Sequence, residues 1–116
     1  MERKFRLSSS SDFTRVRRFG KSYAHPLIVL VASPNQLDRT RFGVVAGRSV
    51  GKAVRRNRAK RLIRAAMQPY LDQLVPGWDG LLIARAMMSE ADFPNTQKAV
   101  LSLLRKARLI REFDAT

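Results

Sequence analysis

The chain contains no cysteine, which removes disulfides and every zinc site built on thiolates. It contains one histidine, His25. A single imidazole supplies neither a catalytic triad nor a histidine-based metal centre; beside Pro26, His25 reads as a surface residue at a strand entrance. Acidic residues are few, 9 against 23 Lys and Arg. They are Glu2, Asp12, Asp38, Asp72, Asp79, Glu90, Asp92, Glu112 and Asp114, and no pair has a spacing that proposes acid–base or two-metal chemistry. No apolar run approaches the length of a membrane-crossing helix, and the opening MERKFRLSSSS has no apolar signal core. A soluble cytoplasmic protein is therefore expected, with no catalytic residue and no metal site of its own.

What is present is positive charge, net +14 in 116 residues. An excess of that size implies a polyanionic partner, nucleic acid first. A membrane surface is the rival, but the apolar stripes lack the clustered Trp and Phe of interfacial helices. The charge concentrates in RSVGKAVRRNRAKRLIR, residues 48–64, where Arg48, Lys52, Arg55, Arg56, Arg58, Lys60, Arg61 and Arg64 occur without one acidic residue. No Asp or Glu stands between Arg39 and Leu71. A helix that is merely solvated mixes signs, because opposite charges three or four apart stabilise it.

On a helical wheel Ala59, Leu62, Ile63, Ala66 and Met67 share an apolar face. Asn57, Lys60, Arg61 and Arg64 lie opposite. Arg55, Arg56 and Arg58 crowd the first turns, where the helix dipole disfavours cations, so their charge points to binding. Arginine suits bidentate contact with phosphate, and Asn57 can both donate and accept at a base edge or sugar hydroxyl. GRSVGKA, residues 47–53, is not a phosphate-binding loop: three residues separate its glycines instead of four, and Ala53 stands where a hydroxyl is needed.

The remaining elements follow from pattern. Residues 1–7 read as a basic flexible arm and 111–116 as a loose tail of a single domain, 1–116. Ser8 to Ser11 offer helix caps, and Ser9 with Asp12 makes a capping-box pattern. A short helix carrying Phe13 and Val16 follows. Leu27 to Ala32 is a strand, SPNQLD a hairpin loop, and Arg41 to Gly47 the return strand, with Gly43 where something approaches the backbone closely. Pro69 ends the basic helix. Leu81 to Ala84 is a buried strand. A last helix begins near Pro94 with Gln97, Val100, Leu101, Leu104 and Ala107 toward the core. The sum is an α+β fold, one sheet with helices packed on it.

The string KAVRRNRAKRLIR, 52–64, resembles the RNR motif of the bacterial ribonuclease P protein family, through Ala53, Val54, Arg56, Asn57, Arg58, Lys60, Arg61 and Arg64. Asp12, Phe13 and Gly20, the FGVV strand and the LLIAR strand fit the same family, so the resemblance runs from Phe5 to Ile110. It implies an αβββαβα order like that of a ribosomal-protein domain, with a left-handed βαβ crossover around the motif helix. It also implies that the catalytic RNA subunit cleaves the 5′ leader from precursor tRNA with magnesium, while the protein binds that RNA and the leader and helps magnesium bind. On the resemblance, Arg48, Lys52, Arg55, Arg56, Asn57, Arg58, Lys60, Arg61 and Arg64 bind RNA. Phe13 matches an aromatic of the leader cleft, and Arg17 and Val31 stand where other members often carry aromatics. Phe19 and Tyr23 are weaker candidates, and Phe13 as a core residue is the alternative. Outside the RNR string, a structural RNA-binding protein such as a ribosomal component fits equally, and a DNA-binding module fits less well.

Overall fold

The computed structural model describes residues 1–111. Its elements are α1 (Ser10–Phe19), β1 (Lys21–Ala24), β2 (Ile28–Pro34), β3 (Arg41–Ala46), α2 (Ala53–Met67), β4 (Trp78–Ala84) and α3 (Phe93–Lys106), joined by short 3-10 turns. The order αβββαβα is as expected. β1 was not legible in the residues: KSYA is polar and lies mostly exposed.

The four strands form one mixed sheet in the order β1-β2-β4-β3. β4 runs antiparallel to β2 and parallel to β3. The hairpin expected across SPNQLD is therefore absent, because β4 lies between β2 and β3. The real hairpin is β1–β2, where Tyr23 pairs with Leu30. Strand pairing is decided by which neighbours fill each face, and loop composition carries no information about a strand inserted later in the chain.

Side chains alternate across the sheet. Ile28, Leu30, Phe42, Val44, Leu82 and Ala84 enter the main core, where they meet Ala59, Ile63, Ala66 and Met67 of α2 and Ala99, Val100, Leu103 and Leu104 of α3. The α2 face is the one read from the sequence, with Leu62 half-buried at its margin. The α3 stripe is rotated by about one residue from the expected one: Thr96, Ala99, Val100, Leu103 and Leu104 are buried, whereas Gln97, Leu101 and Ala107 are half-buried. α3 opens on Asp92, whose carboxylate accepts from the Asn95 amide at 2.9 Å. At α1 the capping box does not form; the Ser9 hydroxyl instead meets that of Ser11 at 2.8 Å.

On the other face a second cluster of Leu7, Val16, Val31 and Leu81 lies under α1. Leu7 belongs to the segment expected to be a flexible arm. That segment is instead docked: Arg3–Phe5 forms a 3-10 turn, the Leu7 amide donates to the Phe42 carbonyl at 2.9 Å, and Leu7 is buried. Burial of one leucine and a bridge to the open edge of β3 fix a segment whose composition is polar. At the other end Arg111 donates its amide to Gln73; the rest of the expected tail, 112–116, lies outside the described residues.

Candidate RNA-binding surface

α2 is entered through the 3-10 turn Arg48–Val50 and Gly51, whose φ of 123° demands glycine. Lys52 occupies the N-cap position and no acidic residue lies in the first turn. Burial of Ala59, Ile63 and Met67 against the core turns the opposite side to solvent, so Arg48, Lys52, Arg55, Asn57, Arg61 and Arg64 are exposed and Arg56 and Lys60 half-buried. Among the described residues no carboxylate forms an ion pair with any of these cations. Arg58 differs: it donates to the Ala91 carbonyl at 2.8 Å and so ties α2 to the turn before α3.

Lys60 and Arg64 point toward α1. Lys60 lines a cleft of ≈ 430 Å³ with Phe13, Thr14, Arg17 and the β3 edge at Val44 to Ala46. Arg64 lines an adjoining groove that Phe13 also borders, with Arg6 and Leu7 beyond it. One aromatic thus stands between two basic grooves. The Phe13 ring is half-buried and lies across Gly43: a Cβ there would come within 2.7 Å of it. The close approach expected at Gly43 is this ring. One side of the ring packs on the sheet and the other borders the groove.

Val31 is a correction. It is 4% exposed, sealed beneath α1 in the small cluster, and cannot line an open cleft. Two residues along β2, on the same sheet face, Val29 is half-buried, as are Val45 of β3 and Ile83 of β4 beside it. Only the alternation of β2 with the position of α1 separates Val29 from Val31; within LIVLVA the two are equivalent. Arg17 is exposed and lines the cleft beside Phe13. Phe19, 73% exposed, carries the Arg18 guanidinium 5.6 Å from its ring centre. Tyr23 packs on the main core, across the sheet from α1.

One constellation escaped the sequence entirely. Asp79, with 0% of its side chain exposed, stands next to Arg41 in the β3–β4 register. Arg41 donates to both of its oxygens, at 2.9 and 2.8 Å, Asn35 donates at 2.9 Å, and Arg15 of α1 donates to Oδ2. Asp12 joins from α1, 3.4 Å from Arg15 and 3.7 Å from Arg41. Burial alone pushes the Asp79 carboxyl up; the hydrogen bonds from Arg41, Asn35 and Arg15 outweigh it, and the group titrates below the usual carboxylate range. The participants lie up to 67 positions apart in sequence (12 to 79), beyond the reach of spacing arguments.

The family model described as Ribonuclease P matches residues 1–108. A protein named Ribonuclease P protein component from Herpetosiphon aurantiacus is 45% identical over 109 residues, 94% of this chain and 89% of that one. The solved ribonuclease P protein of Thermotoga maritima superposes with a TM-score of 0.78 at 31% identity, over 87% of this chain and 96% of that one. That of Staphylococcus aureus superposes with a TM-score of 0.83 at 26% identity, over 92% and 98%.

Proposed function

This chain belongs to the ribonuclease P protein family, and from that premise we propose how its surface is divided. It is the protein subunit of ribonuclease P, the enzyme that matures the 5′ ends of tRNAs, and its partner is the RNA of that enzyme. In our reading the outer face of α2, from Arg48 and Lys52 through Arg55, Arg56, Asn57 and Arg61, grips phosphates of the catalytic RNA. The cleft of Phe13, Arg17, Lys60 and Arg64 takes the single-stranded 5′ leader of precursor tRNA, one base stacking on the ring while the cations hold the backbone. In our reading it acts in the cytoplasm with no membrane partner. No described helix is long and apolar enough to cross a membrane.

Hydrolysis is the work of the RNA subunit and leaves a 5′ phosphate on the mature tRNA. Magnesium would be held by that RNA and its substrate and not by residues of this chain, and would supply activation of water and stabilisation of the leaving oxygen there. Among the described residues no group of three His, Asp or Glu could hold a metal ion, and the carboxylates that do converge, Asp12 and Asp79, are taken up by arginines. The protein contributes by neutralising phosphates, which eases assembly of a dense polyanion, and by holding the leader.

The observation that carries this reading is the meeting of a half-buried aromatic of α1 with Lys60 of the acid-free helix in one open cleft. Reconstitution tests it. Added to a catalytic ribonuclease P RNA at low magnesium, the protein stimulates leader cleavage. Phe13→Ala, shown folded by its melting curve, weakens holoenzyme binding of leader-bearing precursor about five- to a hundredfold and spares mature tRNA. A structural RNA-binding protein would bind the RNA without stimulating cleavage.

A further inference from the structure

Nothing in the leader reading explains why α1 sits where it does. Its apolar anchorage is slight: Val16 is the one buried residue of the helix. Phe13 is only half-buried, and the buried part of the cluster beneath α1 is Leu7, Val16, Val31 and Leu81, with Val29, Val45 and Ile83 half-buried at its margin. Against so small an apolar contact, the second attachment is polar. Arg15 projects from the opposite side of Val16 to Phe13, two positions along α1, and reaches the buried Asp79 carboxylate. Asp79 is itself immobilised by the two-pronged grip of Arg41 and by Asn35. Arg41 lies two positions before Gly43 on β3, where the Phe13 ring rests. The same clamp therefore fixes the helix that carries the aromatic and the strand edge that the aromatic faces.

We propose that Asp79 is a positioning residue of the leader cleft, acting through Arg15 to set the rotation of α1 and with it the placement of the Phe13 ring. A buried carboxylate has a geometric advantage here. Its two oxygens have fixed directions, and each added donor narrows the arrangements that satisfy it. A wholly apolar contact of this size would let α1 slide or roll at small cost, since packing of a few methyl groups is not directional. Asp12 strengthens the clamp by offering both arginines a second carboxylate at the surface. Asp79, fully buried, cannot touch RNA, so any effect of it on recognition must pass through other residues.

This inference rests on the leader reading, and the test separates the two. The holoenzyme is assembled with the catalytic RNA, and dissociation constants are measured for precursor tRNA with a leader of several nucleotides and for mature tRNA. The variants are Arg15→Met, Arg15→Lys, Asp79→Asn and Phe13→Ala. Arg15→Met leaves Asp79 held by Arg41 and Asn35, so that protein remains folded even where Asp79→Asn does not. Positioning predicts that Arg15→Met lowers the precursor-to-mature preference at least about fivefold, the low end for one stacked base. Arg15→Lys, which keeps a donor for the carboxylate, recovers part of it, and folded Asp79→Asn reproduces the loss. RNA-subunit affinity stays unchanged. The salt dependence of precursor binding is decisive against direct contact. If Arg15 itself touched a phosphate, the log–log slope would fall by about 0.7 in Arg15→Met; under positioning it is unaltered.

A preference kept by Arg15→Met but lost by Phe13→Ala overturns the positioning role alone. A preference kept by Phe13→Ala overturns the leader reading. Equal weakening of precursor and mature tRNA, or a reduced salt slope, also overturns the proposal.

Discussion

Under α2 and α3 the sheet is closed by one continuous apolar core that includes Phe42, Leu30, Ile63, Met67, Leu103 and Leu104. Under α1 it is closed by Leu7, Val16, Val31 and Leu81 and by the Asp79 clamp. The first face resists change through area removed from water, and its geometry is redundant, since many contacts share the load. The second depends on a few directional bonds. In the proposed division the leader is recognised on the second face, beside α1, and the catalytic RNA is held by α2, which closes the first.

The comparison is broken most severely by truncation. Leu104→Ala in the main core costs about 2–5 kcal/mol, a large part of a small domain's stability. Val16→Ala beneath α1 costs about 1–3 kcal/mol, since two methyl groups are lost at roughly 0.8 kcal/mol each plus a cavity term. Thermal melts give both values. At a temperature where both variants are folded, only Val16→Ala reduces the precursor-to-mature preference. If Leu104→Ala reduces it as much, the two faces are not independent.

Gly43→Ala is the next largest. Its methyl would meet the Phe13 ring at 2.7 Å, and either ring or strand must move, at a cost of about 1–3 kcal/mol. Displacement of the ring lowers leader binding while leaving the RNA-subunit affinity intact. An unaltered melting temperature together with unaltered leader binding would show that Phe13 does not rest where the cleft requires it.

Acid distinguishes the faces without mutation. The Asp79 carboxyl titrates below its ordinary value, so its contribution is complete above the unfolded value of about 3.9 and is lost as pH falls through the lower folded one. His25, beside α3, also titrates low, through burial first and then the nearby Lys106. Its imidazole accepts from the Leu27 amide at 3.0 Å, a bond that protonation of Nδ1 removes. That contribution is complete above about pH 6.5 and is lost as pH falls through the lower folded value. Amide exchange should therefore loosen first at the β1–β2 turn and only below about pH 4 at α1. Loosening of α1 near pH 6 would mean that the carboxylate is not what holds it.

The smallest effect on the fold is expected at Arg61→Lys. Arg61 is exposed on α2 with no ion pair among the described residues, so stability changes by less than about 0.5 kcal/mol. RNA-subunit affinity falls because the planar fork is lost while the charge remains. Arg58→Lys behaves differently, since Arg58 also holds the Ala91 carbonyl; it lowers the melting temperature as well. Equal melting temperatures for the two variants would remove the distinction between a binding arginine and a tying one.

The basic helix and its two faces were legible from the residues, because an amphipathic helix is a local object; the family was legible through the resemblance of residues 52–64. Residues three and four apart are neighbours whatever the rest of the chain does, and a single-signed run needs no partner to be seen. The strands LIVLVA and LLIA were legible for a similar reason, while β1 was not, since its exposed, polar residues leave no apolar signature. What the sequence could not carry was adjacency between distant segments. The hairpin across SPNQLD failed because β4, more than forty positions after β2, takes the place beside it. Val31, expected in the cleft, is sealed while Val29 is half-buried, because only the seating of α1 distinguishes them. Asp12 and Arg15 share α1, but Asn35, Arg41 and Asp79 come from separate segments, and the clamp exists only where the sheet brings these within hydrogen-bond distance of the helix. Periodicity and charge, which act over a few residues, were set by the sequence alone; register, burial and the clamp on α1, which depend on which segments meet, were decided by the tertiary structure.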